Sequence, residues 1–241
     1  MKKFLLFFLF WSLNALAVNY NSIDSRAEKT PSRYDTDLLK LVRYLVEPYE
    51  NSEEKKARVL LAWIVHHIDY DEYKSSATTK SRYVPRLQKN SLTNGDIFET
   101  RVGVCEDIAS LYQRMTGLAG LDSVIIKGYA GTDVTARNKE ERKHAWNAVK
   151  IDGKWEFVDP TWALKGEGVR AFGDVNSKVE HSREIKRRKK NERQTKKTRQ
   201  NRFVADKWFM TKPKEMIKTH YPFDDEWQLL PVKKSMASFL R

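Results

Sequence analysis

The sequence predicts an α+β domain, and three observations carry that expectation. Apolar residues recur at helical spacing in three segments before residue 120. A β-hairpin signal follows at residues 144–159. With 40% hydrophobic and 12% aromatic residues in a chain of 241, there is enough apolar material for one well-packed core.

Taken in order, Met1-Lys2-Lys3, the apolar run Phe4 to Leu13 and the small-residue site Ala15-Leu16-Ala17 read as a secretory signal peptide over 1–17. The apolar window Phe4 to Val18 is 15 residues long, below the roughly 20 that a spanning helix needs. An exported protein, periplasmic or extracellular, is the expectation. Residues 18–35 are polar and aperiodic and read as a linker, which leaves 36–241 as the domain. Asp35 or Thr36 is positioned to cap a helix carrying Leu38, Leu39, Val42, Leu45 and Val46, ended by Pro48. Asn51, with Glu54 three residues on, is placed to cap a second, whose Ala57, Leu60, Leu61, Ile64 and Ile68 share one face. His66 and His67 are adjacent and therefore about 100° apart around a helix, not the i, i+4 pair that binds zinc, so no metal site is expected. Lys74 to Asn94 is polar and reads as a surface loop.

A third helix carries Ile108, Leu111, Tyr112, Met115 and Leu118, with Gly117 and Gly120 as stop signals. Cys105, the one cysteine of the chain, falls in its first turn. Unpaired N–H groups and the helix dipole there favour the thiolate, whereas Glu106 and Asp107 disfavour it. Activation of this thiol therefore calls for an imidazolium partner.

The hairpin supplies one. His144 to Ile151 is strand-like, Asp152-Gly153 is a type I′ turn signal, and Lys154 to Asp159 returns. Counting outward from the turn pairs Ile151 with Lys154, Ala148 with Phe157 and Trp146 with Asp159. His144, Trp146, Trp155, Phe157 and Asp159 then share a face, with His144 diagonal to Asp159 at roughly 7 to 8 Å between Cα atoms. Pro160 should end the ladder and leave Asp159 at the sheet edge. A lone free cysteine is more often a small buried hydrophobe than a nucleophile. The conjunction of a helix-start cysteine, a strand histidine and an aspartate set beside it by register favours a nucleophile, base and orienting acid.

Val102-Gly103-Val104-Cys105-Glu106-Asp107, Gly128-Tyr129, His144-Ala145-Trp146-Asn147-Ala148-Val149 and Trp155-Glu156-Phe157-Val158-Asp159-Pro160-Thr161-Trp162 together resemble the core of the transglutaminase-like superfamily. Upstream, Ala62-Trp63-Ile64 and Ile68-Asp69-Tyr70-Asp71 resemble the helix preceding that core. Downstream, Trp208-Phe209-Met210, Pro213 and Trp227-Gln228-Leu229-Leu230 resemble the kyphoscoliosis peptidase and cytokinesis-protein branch. The resemblance implies a papain-like α+β fold, with the nucleophile at a helix N-terminus packed on an antiparallel sheet that carries the histidine and aspartate. It also implies Cys105 as nucleophile, His144 as general base and acid, and Asp159 orienting the imidazole, with no cofactor. Members include transglutaminases, peptidases and inactive binding modules. Amide hydrolysis through an acyl-enzyme, acyl transfer to an amine, and binding without turnover thus stay open. Hydrolysis is favoured because it needs only water as acceptor, and a protein or peptide substrate, cell-envelope associated, is the expected partner.

The segment 178–202 does not map onto the family motifs. It holds 12 Lys or Arg against 3 Glu, a net +9 of the chain's +13. Such a run is commonly solvated. Its charge also suits anionic envelope polymers or lipid headgroups, while the lack of any nucleic-acid-binding motif argues against specific nucleic-acid binding.

Overall fold

The computed structural model describes residues 19–71, 96–165 and 205–240. The expected signal peptide, the polar stretch 74–94 and the basic run 178–202 lie outside the described residues.

Three helices open the fold: α1 (Asn21–Glu28), α2 (Leu38–Val46) and α3 (Glu53–His67). The first corrects the reading of residues 18–35 as a linker. Although polar in sequence, α1 buries Ile23, Ala27 and the carboxylate Asp24 as it packs on α3. Asp24 meets the fully buried Arg58 through two bonds of 2.8 and 2.7 Å, and Asp206 approaches the same guanidinium at 2.6 Å. The rings of Tyr20 and Phe209 lie 4.5 and 5.4 Å from it. Taking an arginine out of water costs several kcal/mol, which the two carboxylates and the ring faces offset.

Two caps differ from the sequence reading. Asp37, not Asp35 or Thr36, accepts the Lys40 N–H at 2.8 Å, and Ser52, not Asn51, accepts that of Lys55 at 3.3 Å. In each case the side chain directly preceding the helix is chosen. Pro48 follows α2 in a 3-10 turn. The helix α3 stops at His67, so Ile68 to Asp71 leave it in extended form.

Next come β1 (Asp69–Tyr70), α4 (Asp96–Thr100), β2 (Val102–Gly103) and α5 (Cys105–Leu118). Strands β1 and β2 pair in parallel, with Asp69 opposite Val102 and Tyr70 opposite Gly103, which pins the backbone just ahead of Cys105. After α5, Gly120 (φ 77°) forms the left-handed stop, with Leu121 N–H bonded to Thr116 C=O and Gly120 N–H to Gly117 C=O.

The remaining elements are β3 (Ser123–Ala130), β4 (Lys143–Ile151), β5 (Lys154–Val158), α6 (Pro160–Lys165), β6 (Phe209–Thr211), α7 (Pro213–Met216), β7 (His220–Pro222) and α8 (Met236–Phe239). Five strands form one antiparallel sheet in the order β6-β5-β4-β3-β7. The hairpin has the expected register, Ile151 opposite Lys154 and Ala148 opposite Phe157. Asp152 and Gly153 have φ of 49° and 79°, the pair of positive values a type I′ turn demands.

Helix α5 packs on β4, and Asn147 fastens the contact by donating to Ala109 C=O at 3.1 Å and Val124 C=O at 3.3 Å. The opposite face, with Trp146, Trp155 and Phe157, is covered by the C-terminal segment: the rings of Trp155 and Trp227 meet edge to face at 5.3 Å. This mixture of helices and curled antiparallel sheet is the α+β, papain-like arrangement expected from the sequence.

Candidate active site

Cys105 is the first residue of α5. The helix starts there because Val104 is extended and its N–H is taken by Asp107 Oδ2 at 3.1 Å. Asp107 is thus turned back along the chain to close the helix start. Glu106 is drawn into an exposed 2.5 Å ion pair with Lys127 Nζ. Both carboxylates expected to oppose ionisation of the thiol are therefore engaged by other groups.

His144 lies near the start of β4, opposite Gly128 of β3. A Cβ on Gly128 would stand 2.1 Å from Tyr221 C=O and 2.6 Å from the Trp146 ring, so only glycine fits. That absence of a side chain admits Trp146, which lies against His144 at 6.1 Å and 21°.

Asp159 follows β5 directly. It does not sit at the sheet edge, because β6 pairs beyond β5 and Trp208 C=O accepts the Asp159 N–H at 3.0 Å. Pro160 ends the strand as expected, but by opening α6, for which Asp159 is the cap: Oδ1 accepts the Trp162 N–H at 2.9 Å. The carboxylate is fully buried.

These elements bring His144 and Asp159 together. His144 Nε2 lies 2.8 Å from Asp159 Oδ2. Burial pushes the Cys105 thiol up, but the hydrogen bond and charge of His144 and the N–H of Ala145 outweigh it, leaving the thiol below its ordinary value. Burial would lower His144, yet the Asp159 charge and hydrogen bond, followed by Cys105, push it up to about 10. Asp159 is raised by burial but held well below the usual carboxylate range by His144 and then by His220. The shifts favour an anionic Asp159 and a cationic His144.

His220 was not singled out in the sequence. Its Nε2 lies 3.0 Å from Asp159 Oδ2, and its Nδ1 2.8 Å from Thr219 Oγ1. It arrives on β7 from 61 residues downstream of Asp159, and no local spacing announces that. Donor atoms of His144, Asp159 and His220 lie within 4.8 Å of one another. Both imidazoles, however, are spent in hydrogen bonds to one carboxylate oxygen, which a metal ion would have to break. Of the adjacent histidines on α3, His67 bonds Trp63 C=O at 3.0 Å and stacks on the Trp63 ring, a packing role.

A family model for the transglutaminase-like superfamily matches residues 40–160. Among curated proteins, kyphoscoliosis peptidase of Mus musculus is 28% identical over 192 residues, covering 78% of this chain and 24% of that protein. Hillarin of Drosophila melanogaster is 33% identical over 133 residues, covering 54% of this chain and 14% of hillarin. The chain therefore spans a quarter or less of the length of these relatives. A solved structure described as a TGase matches with TM-score 0.40 and 16% identity, covering 70% of this chain and 39% of that one. With half of its length matched by the family model and the Cys105, His144 and Asp159 elements inside or bordering that match, the chain belongs to the transglutaminase-like superfamily.

Proposed function

We propose that this protein is a thiol enzyme that cleaves amide bonds through an acyl-enzyme on Cys105. The observation that carries the reading is the 2.8 Å contact of His144 Nε2 with Asp159 Oδ2, with His144 raised by that carboxylate and the Cys105 thiol lowered by His144. In the resting state the thiol proton resides on His144, whose charge Asp159 balances.

The Cys105 thiolate attacks the substrate carbonyl, forming an S–C bond as the carbonyl oxygen takes the negative charge. That oxygen is within the field of the α5 N-terminus, where the Cys105 N–H is not used by the helix. His144 then gives its proton to the leaving amine as the C–N bond breaks. In the second half, His144 takes a proton from water, whose oxygen attacks the thioester carbonyl. The acid leaves, and the thiolate–imidazolium pair is restored. Asp159 holds the ring orientation throughout and takes no proton.

An amine replacing water in the second half gives acyl transfer, and one assay separates the outcomes. The protein is incubated with a casein digest and unfractionated peptidoglycan, with and without an amine probe, and products are followed by mass spectrometry. Hydrolytic products that vanish in Cys105→Ala support the proposal. Probe incorporation without hydrolysis assigns acyl transfer instead. No product of either kind, with function unchanged in Cys105→Ala cells, overturns it in favour of a binding module.

A further inference from the structure

We propose that His220 is a positioning residue of this site: a second imidazole, kept neutral, that completes the hydrogen bonding of Asp159 and so fixes where His144 stands. The inference rests on the catalytic reading of Cys105, His144 and Asp159. It lies outside the residues that the family model matches, which end at 160.

The geometry is that of one buried carboxylate holding three donors, with Oδ2 filled. Oδ1 receives the Trp162 N–H, while Oδ2 receives His144 Nε2 at 2.8 Å and His220 Nε2 at 3.0 Å. A carboxylate oxygen has two lone pairs, and both on Oδ2 are used. Three donors from three different elements leave the group no freedom to turn about its Cβ–Cγ bond. Without His220, one lone pair of a fully buried anion loses its partner, and the carboxylate can rotate away from His144.

Two charged imidazoles on one carboxylate oxygen would repel each other, and the surroundings decide which stays neutral. His144 is drawn to its charged form by Cys105 as well as by Asp159. Beyond Asp159, His220 meets the Thr219 hydroxyl, and its ring is enclosed by those of Trp162, Trp146 and Trp208 at 4.5, 5.0 and 5.4 Å. The titratable groups facing it are Asp159 and His144, with Cys105 one step behind His144. Burial, then, lowers His220 against the upward pull of Asp159. The tautomer follows: Asp159 is an acceptor, so Nε2 carries the proton, and Nδ1 accepts the Thr219 O–H.

Without His220, and with the carboxylate free to turn, the imidazolium that favours the Cys105 thiolate is held less firmly, and the ionisation of Cys105 moves to higher pH.

The test uses the full chain, with His220→Phe keeping the ring without its donor and His220→Gln keeping an amide N–H at similar reach. In wild-type protein, imidazole 15N signals should show His220 as a neutral Nε2–H tautomer that does not titrate between about pH 5 and 9. Iodoacetamide alkylation of Cys105 at about pH 5 should fall about threefold or more in His220→Phe, as the acid limb moves up, and stay close to wild type in His220→Gln. A merely structural residue would lower the melting temperature in both variants and leave the pH profile in place, and that result overturns the proposal. So does a His220 that titrates near neutrality or carries its proton on Nδ1, a measurement that stands even where His220→Phe does not fold. A wild-type thiol with no low-pH reactivity overturns the catalytic reading and this inference together, whereas a reactive thiol indifferent to His220→Phe overturns the inference alone.

Discussion

Asp159 caps the helix that carries Trp162: the Trp162 N–H binds Asp159 Oδ1 at 2.9 Å, and this leaves Oδ2 to face His144. One side chain thus ends the hairpin, starts a helix and orients an imidazole, and its substitution tests all three functions.

In Asp159→Asn the cap survives, since an amide oxygen still accepts from Trp162. An amide N–H turned toward His144 Nε2 demands the other tautomer and places the ring proton on Nδ1 as a neutral group, so the base is lost. Turnover should fall by about a hundredfold or more. Breaking a buried ion pair should also cost about 3 kcal/mol or more. Steady-state rates and urea denaturation check the two effects separately.

Stability should follow pH with a sign fixed by the shifts. His144 is raised from 6.5 to about 10; its contribution is therefore complete below about pH 6.5 and lost as pH rises through about 10. Asp159 is held down, so its contribution is present above its unfolded value, about 4, and lost only as the pH falls well below it. Melting temperatures across pH 5 to 10 should decline toward the alkaline end in wild type, and much less in Asp159→Asn.

Arg58 is the corresponding test of the scaffold. Its guanidinium joins Asp24 of α1 to Asp206, near β6, and it is fully buried. Arg58→Met should destabilise by about 3 to 5 kcal/mol, because two carboxylates lose their partner. Asp206→Asn should cost less, as that side chain is half exposed at 50%. Chemical denaturation of each variant reads the difference.

Gly128→Ala should disturb the site from the far strand. Its methyl would overlap Tyr221 C=O and the Trp146 ring; overpacking of this kind costs about 1 to 3 kcal/mol. Because Trp146 lies against both His144 and His220, the variant should lose thiol reactivity as well as melting temperature. A loss of stability with wild-type alkylation would show that Trp146 does not hold His144.

The hairpin was legible in the sequence because its register is local: Asp152-Gly153 sets the turn, and alternation does the rest. The position of Cys105 was legible for the same reason, since the helix stripe and Gly120 bound α5 from within its own sequence. Asp159 was placed beside His144 correctly but at a sheet edge wrongly, because the strand that covers it returns 50 residues later, with Val158 paired to Phe209. The polar sequence of α1 concealed a helix whose buried Asp24 is matched by Arg58, 34 residues away. His220 was hidden by the same physics. The pairing of β3 with β7 sets Ala130 opposite His220 through tertiary packing, and no short-range periodicity encodes it.

The central claim is that Cys105 and His144 form a working pair, and the iodoacetamide alkylation rate of Cys105 against pH, in wild type and His144→Ala, tests it most directly. The account predicts a thiol reactive well below the free-thiol value of about 8.5, with that low-pH reactivity abolished in His144→Ala. A thiol that is inert, or that titrates alike in both proteins, would contradict it.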